Sequence, residues 1–408
     1  MTVAFDPMAA GFVESPYAHY AALRASDPVH HSDLLSGWVL TRYADVDRVL
    51  RDPSVSVEAV NAPDNPVLAA EVGRMQRDNR SAATLVLLDD PDHARLRRLL
   101  QAPFGPRAID GIRTVVQARV GEAMDELAGR GEMDVVADFA YPLPVGIFCE
   151  LLGVPPEDSP KFRHWTKAVA RNLDPLVSIE EREANLVLHD EMTGYLVDLV
   201  EVKRQHPGDD IMSALVQAEE DGDRLSRDEL VMQVLTLYVA GHEPVSALVA
   251  NGLVALLAQP AELARLQGDL SLLHHAVLEL LRFDGPNQFV RRIATAPLDF
   301  EVGGEVRTIP AGDVLYCCIG AANHDPAQFG ADADVVRVDR PEAATHLQFG
   351  SGIHTCLGTH LARLQAEAML GQLLGRLTNL TLAGDVTWSP RMVLRAVDSL
   401  PITYRARG

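Results

Sequence analysis

Phe349-Gly350-Ser351-Gly352-Ile353-His354-Thr355-Cys356-Leu357-Gly358-Thr359-His360-Leu361-Ala362-Arg363 is the stretch on which the fold turns. A phenylalanine and three glycines crowd one cysteine, and a helical apolar pattern through Leu361, Leu364, Leu373 and Leu374 starts just after it. Glycine lets the backbone come close to something flat and large without a side-chain clash. Cys356 stands at the start of that helix, where free N–H groups and the positive end of the helix dipole favour a thiolate. A thiolate in a glycine-rich loop suits an axial ligand to a metal. The plain alternative is a buried cysteine beside an ordinary loop, which is what most cysteines outside disulfides are. The crowding of signature residues around this one weighs against that.

Outward from the loop, composition sets bounds. The chain has 408 residues, enough for a large core, and 47% of them are hydrophobic. No unbroken apolar run approaches a membrane span, and Met1-Thr-Val-Ala-Phe-Asp-Pro lacks the basic start and apolar run of a signal peptide. Four cysteines (Cys149, Cys317, Cys318, Cys356) make no disulfide framework, so a reduced, cytoplasmic home is expected. Net charge is −21, from 36 basic against 57 acidic residues. That argues against nucleic acid or an anionic membrane as the main partner.

The pattern along the chain is mainly helical with a smaller β region. Residues 15–56 read as helix, strand, helix, and 57–83 as a loop region with room for a short helix. Asp90 is a candidate N-cap with Pro91 at the first helical position, and His93 and Arg97 share a face four residues apart. Helix follows helix from 106 to 220 with no repeat or linker, so a single domain over 1–408 is expected. Ser226-Arg-Asp-Glu229 matches a capping box and opens a long apolar helix to about Leu257. Inside it, Pro244 removes the N–H that would bond the carbonyl of Ala240, and Gly241 weakens the same turn. A local opening is predicted there. Glu279 and Arg282 lie three apart on one helical face, and Gly303-Gly304 reads as a hairpin turn.

Phe349-Gly350-x-Gly352-x-His354-x-Cys356-x-Gly358 resembles the haem-binding loop of the cytochrome P450 family, with every signature position filled. The segment 89–100 resembles the family's C helix, with Asp90 where the first of two prolines usually stands. Ala240-Gly241-His242-Glu243-Pro244 resembles its central-helix motif Ala-Gly-x-Asp/Glu-Thr, with proline in place of the threonine. Glu279-Leu-Leu-Arg282 matches its Glu-x-x-Arg, and Arg340 matches the later arginine of that network. The matches run in family order from about Pro16 to the carboxyl end.

That resemblance implies a haem b, between the long central helix and the cysteine-loop helix, with Cys356 as its metal ligand. It implies His93, Arg97, Arg292 and His354 on the propionates, Phe349 against the haem near the sulfur, and Gly358 in the loop. Ala240, Gly241, Glu243 and Pro244 would line the oxygen side. By position, Leu85, Leu87, Thr236, Val239, Asn287, Gln288, Phe289, Met392 and Val393 would face the substrate. Arg95, Arg98 and Arg363 would lie near the proximal face. The implied activity is a monooxygenase hydroxylating or epoxidising a small organic molecule of secondary metabolism, using O2 and electrons from a ferredoxin or flavodoxin. The missing threonine keeps open an oxidase that couples or closes rings without inserting oxygen. A peroxide-driven enzyme and a non-catalytic haem-binding protein are the remaining alternatives.

Overall fold

The computed structural model describes residues 5–77, 84–172, 174–220 and 222–407. Its centre is the helix Arg227–Leu257. The capping box is formed: the Ser226 hydroxyl accepts from Glu229 N–H, and the Glu229 carboxylate accepts from Ser226 N–H. Leu230, Val234, Tyr238, Val245, Val249, Leu253 and Leu256 are all buried, on every side of the helix. Among the described residues it is the one helix long and apolar enough to cross a membrane, yet 78% of its most apolar stretch is buried inside the protein. A helix apolar all round is here a core helix. Pro244 sits within it and does not end it.

The cysteine-loop helix, Thr359–Arg376, packs against both the central helix and the long helix Pro106–Leu127. Leu361, Leu364, Leu370, Leu373 and Leu374 are its buried stripe. The largest sheet has five strands in the order Val29–Ser32, Gly37–Leu40, Val314–Cys318, Phe289–Ala294 and Val55–Ser56. Its one parallel pairing joins Val314–Cys318 to Gly37–Leu40. Hairpin Leu298–Val302 and Glu305–Ile309 turns on Gly303 and Gly304, with φ of 64° and 86°. Two successive positive φ values are what a two-residue hairpin turn needs.

Two local readings are corrected. The helix bearing His93 runs Asp92–Leu100, with Pro91 in the N-cap place; the Asp90 carboxylate accepts from Ala94 N–H at 3.1 Å. The region 57–83 contains a twelve-residue helix, Pro66–Arg77, while 78–83 lie outside the described residues.

Glu279 and Arg282 are fully buried and joined by two hydrogen bonds of 2.7 and 2.8 Å. Arg340 reaches the same carboxylate at 3.1 Å. Arg282 also donates to the Asn323 carbonyl, and the Asn323 side chain accepts from Leu347 N–H at 2.8 Å. The Leu347 carbonyl accepts in turn from Gly350 N–H at 2.9 Å. A continuous chain of bonds thus runs from the ion network to the cysteine loop.

Candidate active site

The loop reaches Cys356 through the short turn Gly352–His354. Gly350 and Gly352 have φ of 71° and 75°, and a Cβ on Gly352 would lie 2.5 Å from the Leu50 carbonyl oxygen. Both backbone conformation and close approach require glycine there. The Phe349 carbonyl accepts from Cys356 N–H at 2.8 Å, and Phe349 packs on the main core. Gly358 is the N-cap residue of the following helix, and a Cβ on it would stand 3.9 Å from the Cys356 sulfur.

Cys356 is solvent-accessible although it lies deep in the fold. Ala240 is likewise exposed in the middle of a helix whose neighbouring turns are buried. On the central helix, accessible surface between buried turns marks the wall of an internal space. Burial pushes the Cys356 thiol up, against the Gly358 N–H, the Thr359 hydroxyl and the Arg97 charge. The helix end therefore does not by itself secure a thiolate, contrary to the expectation from sequence. A coordinating metal deprotonates a thiol outright.

Beside the sulfur, the His93 and His354 rings lie 4.4 Å apart and tilted by 54°. His93 Nε2 is buried without a partner. Arg292 is 8% exposed, and its one hydrogen bond among the described residues goes to the Arg291 carbonyl at 2.7 Å. Burial, helped by the charges of Arg292, His93 and Arg97, pushes His354 down to about 4. Among the described residues neither Arg97 nor Arg292 has a carboxylate in ion-pair contact. Unpaired buried guanidinium is costly. The four groups together suit a ligand bringing carboxylates, and the two propionates of haem fit that demand.

On the central helix, Glu243 Oε1 accepts from Arg391 Nη1 at 2.5 Å, with both side chains less than a tenth exposed. Burial raises the Glu243 pKa, and Arg391 opposes it. Gly241 has a second reason to be glycine: a Cβ there would lie 1.9 Å from Phe148 Cζ. Helix Pro142–Leu151 docks on the central helix through that contact. Gly241→Ala is expected to cost about 3 kcal/mol by overpacking. Urea unfolding of both single variants and of Gly241→Ala/Phe148→Ala checks this: the double variant should lose less than the sum, and strict additivity contradicts it. His242 points away from the internal space, towards Tyr141 and Tyr238; Nδ1 bonds the Tyr238 carbonyl at 2.7 Å, and burial pushes the ring down to about 4.

The positions expected to face substrate divide. Leu85 is anchored by its N–H on Gln233 Oε1 at 2.9 Å, and Leu87 is half-buried near it. Val239 stays on the central helix beside Ala240, but the Thr236 hydroxyl donates back to the Met232 carbonyl at 2.8 Å. The Asn287 side chain donates to the Gln348 carbonyl at 3.1 Å, so its amide is already engaged. Gln288 and Phe289 are corrected: both are 2% exposed, with Phe289 edge-on to Phe5 and Tyr20. The strand alternation that carries Arg292 inward on one side sends Phe289 to the amino-terminal core. Met392 joins that same core and Val393 borders it; both N–H groups donate to Asp174. Arg95 is also corrected: Asp223 and Glu229 bind it, so it offers no free charge on the proximal side. Arg363 donates to His274 and lines a groove with Arg113, His360 and Glu367 outside the cysteine helix. Sequence reading missed Arg391 and Asp174. A lone arginine before the apolar pair Met392-Val393 was the available signal for the first.

A family model described as cytochrome P450 matches residues 133–391. The cytochrome P450 monooxygenase PikC of Streptomyces venezuelae is 38% identical, over 97% of this chain and 92% of its own. P450BioI, solved with an acyl carrier protein ligated to hexadec-9Z-enoic acid, superposes with a TM-score of 0.87 at 31% identity, covering 97% and 99% of the two chains. A myxobacterial cytochrome P450 solved with myristic acid superposes with a TM-score of 0.87 at 35% identity, covering 97% and 98%.

Proposed function

The chain belongs to the cytochrome P450 family, haem-thiolate monooxygenases, and on that premise we propose that it hydroxylates or epoxidises a small organic molecule of secondary metabolism. It does so as one domain over 1–408, in the cytoplasm, with O2 and electrons delivered by a ferredoxin or flavodoxin. The observation that carries this reading is the meeting of Arg97 and Arg292, neither with a carboxylate in ion-pair contact among the described residues, with the His93 and His354 rings beside an accessible Cys356. Bound haem supplies the oxygen-activating chemistry, with electron density from the Cys356 thiolate. The chain's own work is to neutralise the propionates, hold the cysteine loop with Phe349 against the main core, and present Ala240 and Glu243 on the oxygen side. The mixed-charge groove at Arg363, Arg113 and His360 is the redox partner's docking surface.

One observation favours a second outcome at the same site. Pro244 and Val245 put no hydroxyl where the family carries threonine, and the Thr236 hydroxyl is bonded to its own helix. Ordered delivery of protons then depends on Glu243 and on the substrate, which favours coupling or ring closure without oxygen insertion. Turnover under isotopically labelled dioxygen decides. The expected result is one labelled oxygen atom in the product; an unlabelled product assigns the oxidase reaction instead. Turnover driven by peroxide alone, at the full rate, would remove the need for the redox partner.

A further inference from the structure

Arg391 stands in the loop between strands Thr387–Trp388 and Val397–Ser399, and its side chain is 7% exposed. The loop is braced on both sides. Asp174 accepts from Met392 N–H at 2.5 Å and from Val393 N–H at 3.3 Å, and Arg171 donates to the Pro390 carbonyl at 3.3 Å. The guanidinium is therefore presented by a held backbone. Its partner Glu243 is three residues along the central helix from Ala240, about 60° round the axis at 3.6 residues per turn.

The pairing of these two side chains is incomplete. A guanidinium and a carboxylate with freedom to align make two parallel bonds. Here a single bond joins Nη1 to Oε1, and Arg391 Nε and Glu243 Oε2 are both buried with no partner. Each unsatisfied buried group is destabilising, so the folded chain holds a spare donor and a spare acceptor at the edge of the internal space. Arginine offers five donors in a rigid fork, which a carboxylate fills better than any neutral oxygen.

We propose that Arg391 is the residue that determines substrate class, binding a carboxylate on the substrate in exchange for Glu243. This rests on the monooxygenase reading and adds the chemical class of its substrate. In the exchange, the substrate's two oxygens take the fork, and Glu243, left without its cation, takes up one proton from solvent. The buried site then holds one cation and one anion, as it did before. Burial already raises the Glu243 pKa, while the other charges near it, Lys167 and Asp398, oppose one another. A protonated Glu243 next to Pro244 is a proton donor where the family's threonine is missing, and only when a carboxylate substrate is present.

The test uses the haem-loaded enzyme with dodecanoate and dodecan-1-ol as probes, read by calorimetry and by the shift in haem absorption. The wild type should bind dodecanoate at least about tenfold more tightly than the alcohol, the size of a buried charge-assisted bond. In Arg391→Leu that preference should collapse to within about threefold. Glu243→Gln removes the competing anion and should tighten dodecanoate about tenfold. Equal affinities in the wild type, no saturable dodecanoate binding, or a preference that survives Arg391→Leu overturns the proposal. So does an unchanged dodecanoate affinity in Glu243→Gln, which decides the matter if Arg391→Leu fails to fold. The carbon monoxide spectrum of the same reduced samples separates the two levels. Without a thiolate signature the monooxygenase reading falls; with it, and no preference, the assignment of Arg391 alone falls.

Discussion

Cys356→Ser should abolish the thiolate absorption signature of the reduced, carbon monoxide-treated protein while leaving much of the haem in place. The reason lies in how the site divides its labour. Cys356 supplies the metal ligand, whereas His93, Arg97, Arg292 and His354 hold the propionate end, and the substitution touches none of those four. Serine is also small enough for the loop. Its N–H keeps the bond to the Phe349 carbonyl, and the positive φ at Gly350 and Gly352 is undisturbed. What changes is donor strength: an alkoxide is far harder to form than a thiolate, and the push of electron density is lost. Loss of an outer-shell partner at metal sites typically costs about 10–100-fold in activity. Loss of the ligand itself should exceed that. Haem content and the carbon monoxide spectrum, measured together, check it: a retained signature would mean that Cys356 is not the ligand.

The family and the ligand loop were legible because they depend on local residue identity. Glycine at 350 and 352 answers to the positive φ of its own position, and the spacing of cysteine and glycine at 356 and 358 is read from the sequence directly. The capping box at Ser226 and the hairpin at Gly303-Gly304 were legible for the same reason. What escaped depends on distance. Arg391 meets Glu243 across 148 positions, and Asp174 reaches Met392 across 218. No periodicity or spacing encodes such a pairing. Gln288 and Phe289 were misread because their partners are set by packing: Gln288 donates to the Gly285 carbonyl, and Phe289 meets Phe5 and Tyr20 from the far end of the chain. Gly241 shows a subtler case: a helix-weakening glycine was legible, but its contact with Phe148 belongs to packing between two helices.

Glu279→Ala should destabilise the fold by at least about 3–5 kcal/mol, the range for breaking a buried ion pair by removing one partner. Two arginines lose their shared carboxylate at once. Arg282 has no other carboxylate among the described residues and would keep only the carbonyls of Asn323, Ala333 and Val335. Arg340 keeps Asp332, whose side chain is half exposed and screened by solvent. Both guanidiniums are nearly or wholly inaccessible, so water cannot take over the lost charge. Against a total stability of about 5–15 kcal/mol, such a loss is a large share of what holds the chain folded. The effect should reach the haem site before global unfolding does. Arg282 holds Asn323, Asn323 holds Leu347, and Leu347 bonds Gly350 at the start of the cysteine loop. Glu279→Gln is the milder probe, because it keeps one acceptor oxygen and removes the charge. Arg265→Ala supplies the contrast: its bond to Asp339 is just as short at 2.5 Å, but both side chains are well exposed, at 43% and 37%. Exposed pairs contribute about 0–1 kcal/mol. Urea unfolding of the three variants, with haem absorption followed in parallel, orders them. If Glu279→Ala loses no more than Arg265→Ala, burial does not decide the value of this network.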